Sequence, residues 1–262
     1  MAVIGIITCE IFELEFAKLL GEDGDVGRIS IIEDGHSGRF IKLLKSMGLS
    51  NVQCLPHPHS FSPEPDIKLE VLVQVLELGL HRSRKLLSNS IVNVVRSLQQ
   101  RADALLLGYG RCGGVLDNLH EQLSIDIQIF QPMDGNYPVH DCVALSLGSG
   151  DRYYNEQQKI AGTYFLTPGW SQHWREMLDM GSSKLSQPGI KRLLSGYERA
   201  LLVQTPAISS DELSRQGVKL SQATGLRLEV QDGTMAPLTA AWDSAKSAIY
   251  PGSAKAVAGG VI

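Results

Sequence analysis

Short, continuous apolar runs, each followed by a helical pattern, constrain the fold of this chain more than any other feature of its sequence. Runs of this length without polar alternation are typical of strands that are covered on both faces. They occupy Val3–Thr8, Ile29–Glu33, Ala104–Gly108, Asp126–Gln131, Thr163–Thr167, Ala200–Gln204 and Leu226–Val230. The helical patterns between them include Gly38–Met47, Ser83–Arg101, Ser171–Met180 and Asp211–Ala223. Strands that alternate with helices predict an α/β fold with a mainly parallel sheet and helices on both faces.

The placement of the strands and the division of the chain follow from the same pattern. Val3–Thr8 and Ala104–Gly108 lack alternation and are flanked by helical patterns, so we expect both near the centre of the sheet. The turn at residues 148–152 (GSGDR) precedes a further set of strands. We therefore predict two Rossmann-like subdomains, 1–150 with the functional site and a smaller one, 151–262, that completes a crevice.

Composition and charge exclude several classes of protein. The 262 residues are 43% hydrophobic, which is enough to bury a core, and their net charge is -4. Since no run of Lys or Arg offers a phosphate-binding surface, we expect no nucleic-acid partner. No apolar stretch reaches the roughly 18 residues of a membrane span, and Val71–Leu80 is interrupted by Gln74 and Glu77. No basic residue precedes the first apolar run, so we expect a cytoplasmic protein without a signal peptide.

Three of the four cysteines share one context, the end of a predicted strand. Cys9 directly follows the first strand, and Cys112 lies in the glycine-dense turn after Ala104–Gly108. Cys142 lies after the strand at 126–131, at the predicted start of a helix. Ligands of open parallel sheets bind outside the carboxyl ends of the strands, so these cysteines are candidates for one metal site. Alternatively, each is a small buried apolar residue, the commonest role of free cysteine. Cys54 lacks this setting.

The His140-x-Cys142 pair is the sharpest local feature of the sequence. Imidazole and thiolate are both good ligands of Zn²⁺, and a helix start lowers the cost of deprotonating Cys142. His140 is thus a candidate ligand, and Asp141 a candidate carboxylate that orients a ligand or acts in catalysis. The alternative is that His140 and Asp141 only cap the helix.

The glycine-dense turn and a tryptophan complete the candidate residues. Gly108, Gly110 and Gly113 let the backbone turn tightly and approach a bound cofactor. Arg111 either pairs with an anionic substrate or is a solvated surface side chain. Trp170 follows the strand Thr163–Thr167, where it either walls a cofactor pocket or packs a helix onto the sheet.

Four segments, taken in order, resemble one uncharacterised family. They are the strand that ends at Cys9, LLLGYGRCGG at 105–114, HDC at 140–142 and GTYFLTPGW at 162–170. Together they resemble the domain-of-unknown-function family DUF1638 over about residues 3 to 250. The resemblance implies that the three cysteines and the HDC segment are shared, and that a corrinoid protein of a methyl-transfer system is a possible partner.

Three functions follow as hypotheses, and the sequence leaves open whether the protein is an enzyme. In the first, Cys9, Cys112, Cys142 and His140 hold Zn²⁺, which activates a small-molecule thiol to accept a methyl group from a corrinoid in one-carbon metabolism. In the second, the three thiolates hold a [4Fe-4S] cluster for electron transfer or corrinoid activation. In the third, the crevice holds a cofactor without turning it over.

Overall fold

A computed structural model describes residues 1–112, 114, 116, 127–179 and 184–249 of the chain. Its first unit contains a six-stranded parallel sheet in the order β3-β2-β4-β1-β5-β6. The strands are β1 Ala2–Cys9, β2 Val26–Ile32, β3 Val52–Leu55, β4 Leu69–Leu76, β5 Ala104–Gly108 and β6 Gln128–Phe130. A short antiparallel pair follows, β7 Met133–Asp134 and β8 Tyr137–Pro138.

The two strands that we expected at the centre lie there. β1 pairs with β4 on one side and β5 on the other, and every residue of β1 and β5 is buried. Burial on both faces explains the unbroken apolar runs. The prediction of an α/β fold with a mainly parallel sheet is therefore confirmed.

Helices and single turns of 3₁₀ helix connect these strands. The helices are α1 Glu13–Glu22, α2 Gly38–Ser46 and α3 Arg84–Leu98, and the 3₁₀ turns are Glu10–Phe12, Pro58–Ser60 and Leu78–Arg82. Ser83 caps the N-terminus of α3, where its side chain accepts a hydrogen bond from the backbone N–H of Leu86. The 3₁₀ turns that directly follow β1 and β4 lie at the carboxyl edge of the sheet, where the candidate site is found.

The second unit, Cys142–Met235, is built on a three-stranded parallel sheet in the order β11-β10-β9. Its elements are α4 Cys142–Leu147, α5 Gly150–Lys159, β9 Thr163–Leu166, α6 Pro168–Asp179, α7 Gln187–Leu193, β10 Arg199–Gln204, α8 Ser210–Thr224 and β11 Arg227–Asp232. Arg199 is buried on β10, where it contacts the carboxylates of Glu156 and Glu229.

The division between the units differs from the predicted one. The boundary falls between Asp141 and Cys142, and residues 236–249 belong again to the first unit. The reason is the last described helix, α9 Ala236–Ile249, which packs on β5 and β6. No helix within the described ranges is both long and apolar enough to cross a membrane.

Candidate functional site

Three neighbouring strands of the first sheet end side by side and bring a thiol, an imidazole and a phenol together. Cys9 is the last residue of β1 and pairs with Leu76, the last residue of β4. The 3₁₀ turn after β4 carries His81, and Tyr109 directly follows β5. The parallel order β4-β1-β5 places these residues at one edge of the sheet, which is where open parallel sheets bind ligands.

Cys9 and His81 are in direct contact. The Sγ atom of Cys9 lies 3.4 Å from Nε2 of His81. The imidazole is stacked on the ring of Tyr109, with the ring centroids 6.2 Å apart and an interplanar angle of 18°. His81 keeps part of its surface in solvent, while the burial of its packed side lowers the pKa of the imidazole. The thiol therefore faces a neutral ring nitrogen at pH 7.

Acidic side chains lie near the thiols of Cys9 and Cys112. Burial raises the pKa of Cys9 to about 12 against a hydrogen bond from the backbone of Ile11, and Cys112, Glu10 and Glu13 raise it further. Burial also raises the pKa of the Cys112 thiol to about 12, together with the charge of Asp141. Both thiols are thus protonated at neutral pH, and the negative charges around them favour a bound cation.

Tyr109 is almost completely buried between these groups. Burial, followed by the nearby Cys9 and Cys112, raises the pKa of its hydroxyl well above the usual value, so the group stays protonated. A hydrogen bond with Cys9 raises this pKa as well. Tyr109 therefore interacts with both members of the thiol–imidazole pair, Cys9 through its hydroxyl and His81 through its ring.

Close packing explains why two of the predicted positions, Gly108 and Gly110, carry glycine. A Cβ atom on Gly108 would lie 2.4 Å from the ring of Phe16. A Cβ atom on Gly110 would lie 2.7 Å from the carbonyl oxygen of Val139 and 2.8 Å from Cα of Asp141. The close approach is to a side chain at Gly108 and to the protein's own backbone at Gly110, and the cofactor-binding role of both glycines stays a prediction. Gly113 lies outside the described residues.

Backbone hydrogen bonds join the glycine-dense turn to the segment that carries His140. The N–H of Arg111 donates to the carbonyl of Val139 at 2.8 Å, and the N–H of Cys112 donates to the carbonyl of His140 at 3.2 Å. Cys112 has a φ of +44°, a left-handed conformation that is uncommon outside glycine. Two motifs that the sequence singled out separately are therefore one local structure.

The side chains of His140 and Asp141 contact each other on this segment. His140 Nδ1 lies 2.9 Å from Oδ2 of Asp141, which is the carboxylate–histidine contact expected of an oriented ligand. About half of the His140 side chain, 51%, is exposed. The side chain of Arg111 is exposed as well, which is compatible with both of its predicted roles.

Glu10 and His81 are functional candidates that sequence reasoning missed. Glu10 Oε2 accepts a hydrogen bond of 2.6 Å from the backbone N–H of Leu78, which fixes the turn that carries His81. His36 lies 3.6 Å from Glu10 and 3.5 Å from Glu77, so a histidine connects the two strand ends. The only sequence signal for His81 is its place after the apolar stretch Val71–Leu80, and Gln74 and Glu77 interrupt that stretch.

Cys142 and Trp170 belong to the second unit. Cys142 is the first residue of α4, which confirms the predicted helix start, and the indole N–H of Trp170 donates to its Sγ atom at 3.2 Å. Trp170 also lines a cavity of that unit, as one of its two predicted roles requires. Within the described part of the chain, no group of three or more His, Cys, Asp or Glu side chains is arranged to hold a metal ion. The shared site of three cysteines and His140 stays a prediction.

The fold and this edge define an α/β protein with a thiol–imidazole site at the carboxyl ends of a parallel sheet. The chain belongs to the family described as protein of unknown function (DUF1638), whose family model matches residues 75–242. That match includes His81, Tyr109, Cys112, the HDC segment and Trp170. No curated protein and no solved structure matches the chain.

Proposed function

We propose that the protein binds a thiophilic metal ion, with Zn²⁺ the first candidate, through Cys9 and His81, and that Cys112 lies beside this pair as a further ligand. One observation supports this most directly. Zinc bonds of about 2.3 Å to sulfur and about 2.0–2.1 Å to nitrogen imply roughly 3.6 Å between two ligands of one tetrahedral ion. Cys9 Sγ and His81 Nε2 are 3.4 Å apart.

The charges at this edge of the sheet support a cation. Without one, burial and the nearby Glu10, Glu13 and Asp141 keep Cys9 and Cys112 protonated. A metal ion replaces the thiol protons and offsets the negative charges, so binding releases protons. The neutral imidazole of His81 needs no deprotonation to coordinate.

The ligand types of Cys9, His81 and Cys112 suit zinc, and the sequence hypothesis adds Cys142 and His140 to them. Thiolates and imidazoles are the ligands that Zn²⁺ prefers, and thiolates also hold iron–sulfur clusters. We place the protein in the cytoplasm, where free thiols stay reduced.

The chemistry that we propose is the activation of a small-molecule thiol. A bound zinc ion would hold such a substrate as a thiolate at neutral pH. The chain's own residues bind and orient: Glu10 fixes the turn that carries His81, and the ring of Tyr109 stacks on the imidazole and orients it.

A zinc titration of the anaerobically purified chain tests the metal site. In competition with a chromophoric chelator, we expect one ion per chain, with an affinity that falls by more than about 100-fold in Cys9→Ser and in His81→Ala. Cys54→Ser is the matched control, since Cys54 is exposed on β3 and its loss leaves the affinity unchanged. Equal affinities of the wild type and Cys9→Ser would contradict the proposal. A brown protein that absorbs at about 400 nm would show that the thiols hold an iron–sulfur cluster and not zinc.

The methyl-transfer role rests on the family resemblance and has its own test. The thiolate sulfur takes the methyl group from methylcobalamin, the electron pair of the Co–C bond stays on cobalt as cob(I)alamin, and the thiol proton goes to solvent. With 2-mercaptoethanol as acceptor, we expect the zinc-loaded chain to accelerate loss of the methylcobalamin spectrum, and Cys9→Ser to abolish the acceleration. A zinc-loaded chain that gives no acceleration would sink the methyl-transfer role and favour the cofactor-holding module.

A further inference from the structure

The second unit contains a cavity, lined in part by Trp170, that the proposed metal site does not use. It has a volume of about 410 Å³, which lies within the range of small-molecule sites. Aromatic side chains form much of its wall, and the described part of its lining contains no Asp, Glu, Lys or Arg. The aromatic residues are Tyr153, Tyr164, Phe165, Trp170 and Tyr197.

These rings are held in defined positions. Tyr153 packs on Phe165 with 5.0 Å between the centroids, and Tyr164 meets Tyr197 edge-on at 5.3 Å. The N–H of Trp170 is held by Cys142, which fixes the plane of the indole ring. Tyr197 is 39% exposed, more than any other ring named in this paragraph.

One polar atom of the wall lacks a partner. The hydroxyl of Tyr164 is buried and makes no hydrogen bond within the described ranges of the chain. Buried polar groups of folded proteins are nearly always paired, so an unpaired hydroxyl in a cavity wall indicates that a ligand supplies the partner. The partner has to be an acceptor, because burial and the nearby Tyr197 raise the pKa of Tyr164 to about 12 and keep its proton in place.

We propose that this cavity binds an uncharged, planar heteroaromatic ring whose carbonyl oxygen or ring nitrogen accepts the hydrogen bond of Tyr164. Flat ligands gain by stacking on aromatic side chains, and the lack of charged groups in the described lining favours a neutral ring. A quaternary ammonium ion also binds aromatic walls, but it has no acceptor for the hydroxyl. The inference does not rest on the proposed metal site.

Lumiflavin is a suitable probe, because it is planar, uncharged and rich in carbonyl groups, and its fluorescence is quenched on aromatic side chains. We expect the full chain to quench and bind it saturably. Tyr164→Phe removes only the hydroxyl and should weaken binding about three- to tenfold. Tyr197→Ala removes a ring from the wall and should weaken it about tenfold or more. Tyr154→Phe, half-exposed and outside the lining, is the matched control and should bind as the wild type does.

Three results would overturn the proposal. Lumiflavin that is not quenched up to its solubility limit would exclude this ligand class. Equal affinities of Tyr164→Phe and the wild type would remove the hydroxyl from recognition. Displacement of lumiflavin by tetramethylammonium would show that the aromatic wall serves a cation. Circular dichroism melts of each variant show whether it is folded, so that a loss of binding is not mistaken for a loss of structure.

Discussion

At the residue scale, Gly110 decides how closely the turn that carries Cys112 approaches the segment that carries His140. Its missing side chain allows the backbone hydrogen bonds from Arg111 and Cys112 to that segment. A Cβ atom there would meet the backbone of Val139 and Asp141, which cannot rotate away as a flexible side chain can.

We therefore expect Gly110→Ala to lower the free energy of unfolding by about 1–3 kcal/mol, because the two backbone segments must separate. Urea denaturation followed by circular dichroism measures this. Gly24→Ala is the control, since a Cβ atom at Gly24 meets nothing within 4 Å and the change should stay within about 0.5 kcal/mol. An unchanged urea midpoint for Gly110→Ala would show that the turn is not held against Val139.

At the element scale, α9 is tied to the first unit by a cluster of charges. The Nζ atom of Lys246 donates to both carboxylate oxygens of Asp23, at 2.9 and 2.7 Å, and to Asp25 at 2.6 Å. The indole N–H of Trp242 donates to Asp23 at 2.7 Å. Burial alone would raise the pKa of Asp23, but these hydrogen bonds outweigh it, and the pKa is lowered from its ordinary 3.8.

A lowered pKa in the folded protein predicts the direction of the pH dependence. Asp23 binds its proton more weakly when folded, so its contribution to stability is complete above the ordinary pKa near 4 and is lost as pH falls through the lowered value. We expect Asp23→Asn to reduce the free energy of unfolding by about 1–3 kcal/mol at pH 7 and to reduce its acid dependence. Asp66→Asn, an exposed aspartate, should change neither. Urea unfolding at pH 7 and pH 3 makes the comparison, and identical losses for both variants would contradict the role of α9.

Another element shows why sequence reasoning found some strands and missed others. The predicted strands are continuous apolar runs, whereas β4, a central strand, contains Glu70 and Gln74. Glu70 is fully buried and pairs with Arg28 on the neighbouring β2, at 2.6 Å. A charge that is neutralised by a residue 42 positions away leaves no local signal. Because β4 was missed, so was His81 in the turn that follows it.

At the scale of the whole molecule, the sequence predicted where a site would form better than what would form it. Cys9 and Cys112 were placed at strand ends, and the structure brings them near each other, with Asp141 near Cys112. The neighbours that set their chemistry, His81, Tyr109 and Glu10, depend on which strands lie side by side. The return of α9 to the first unit likewise depends on tertiary contacts with β5 and β6. Local sequence patterns encode neither the order of the strands nor the position of α9.

X-ray absorption at the zinc edge of the anaerobically purified, zinc-loaded chain tests the central claim most directly. We expect sulfur neighbours at about 2.3 Å together with an imidazole nitrogen at about 2.0–2.1 Å. Cys9→Ser should lose one sulfur neighbour, and His81→Ala should lose the imidazole signal or reduce it. A zinc ion bound only by oxygen and nitrogen, with the same spectrum in the wild type and Cys9→Ser, would contradict the account.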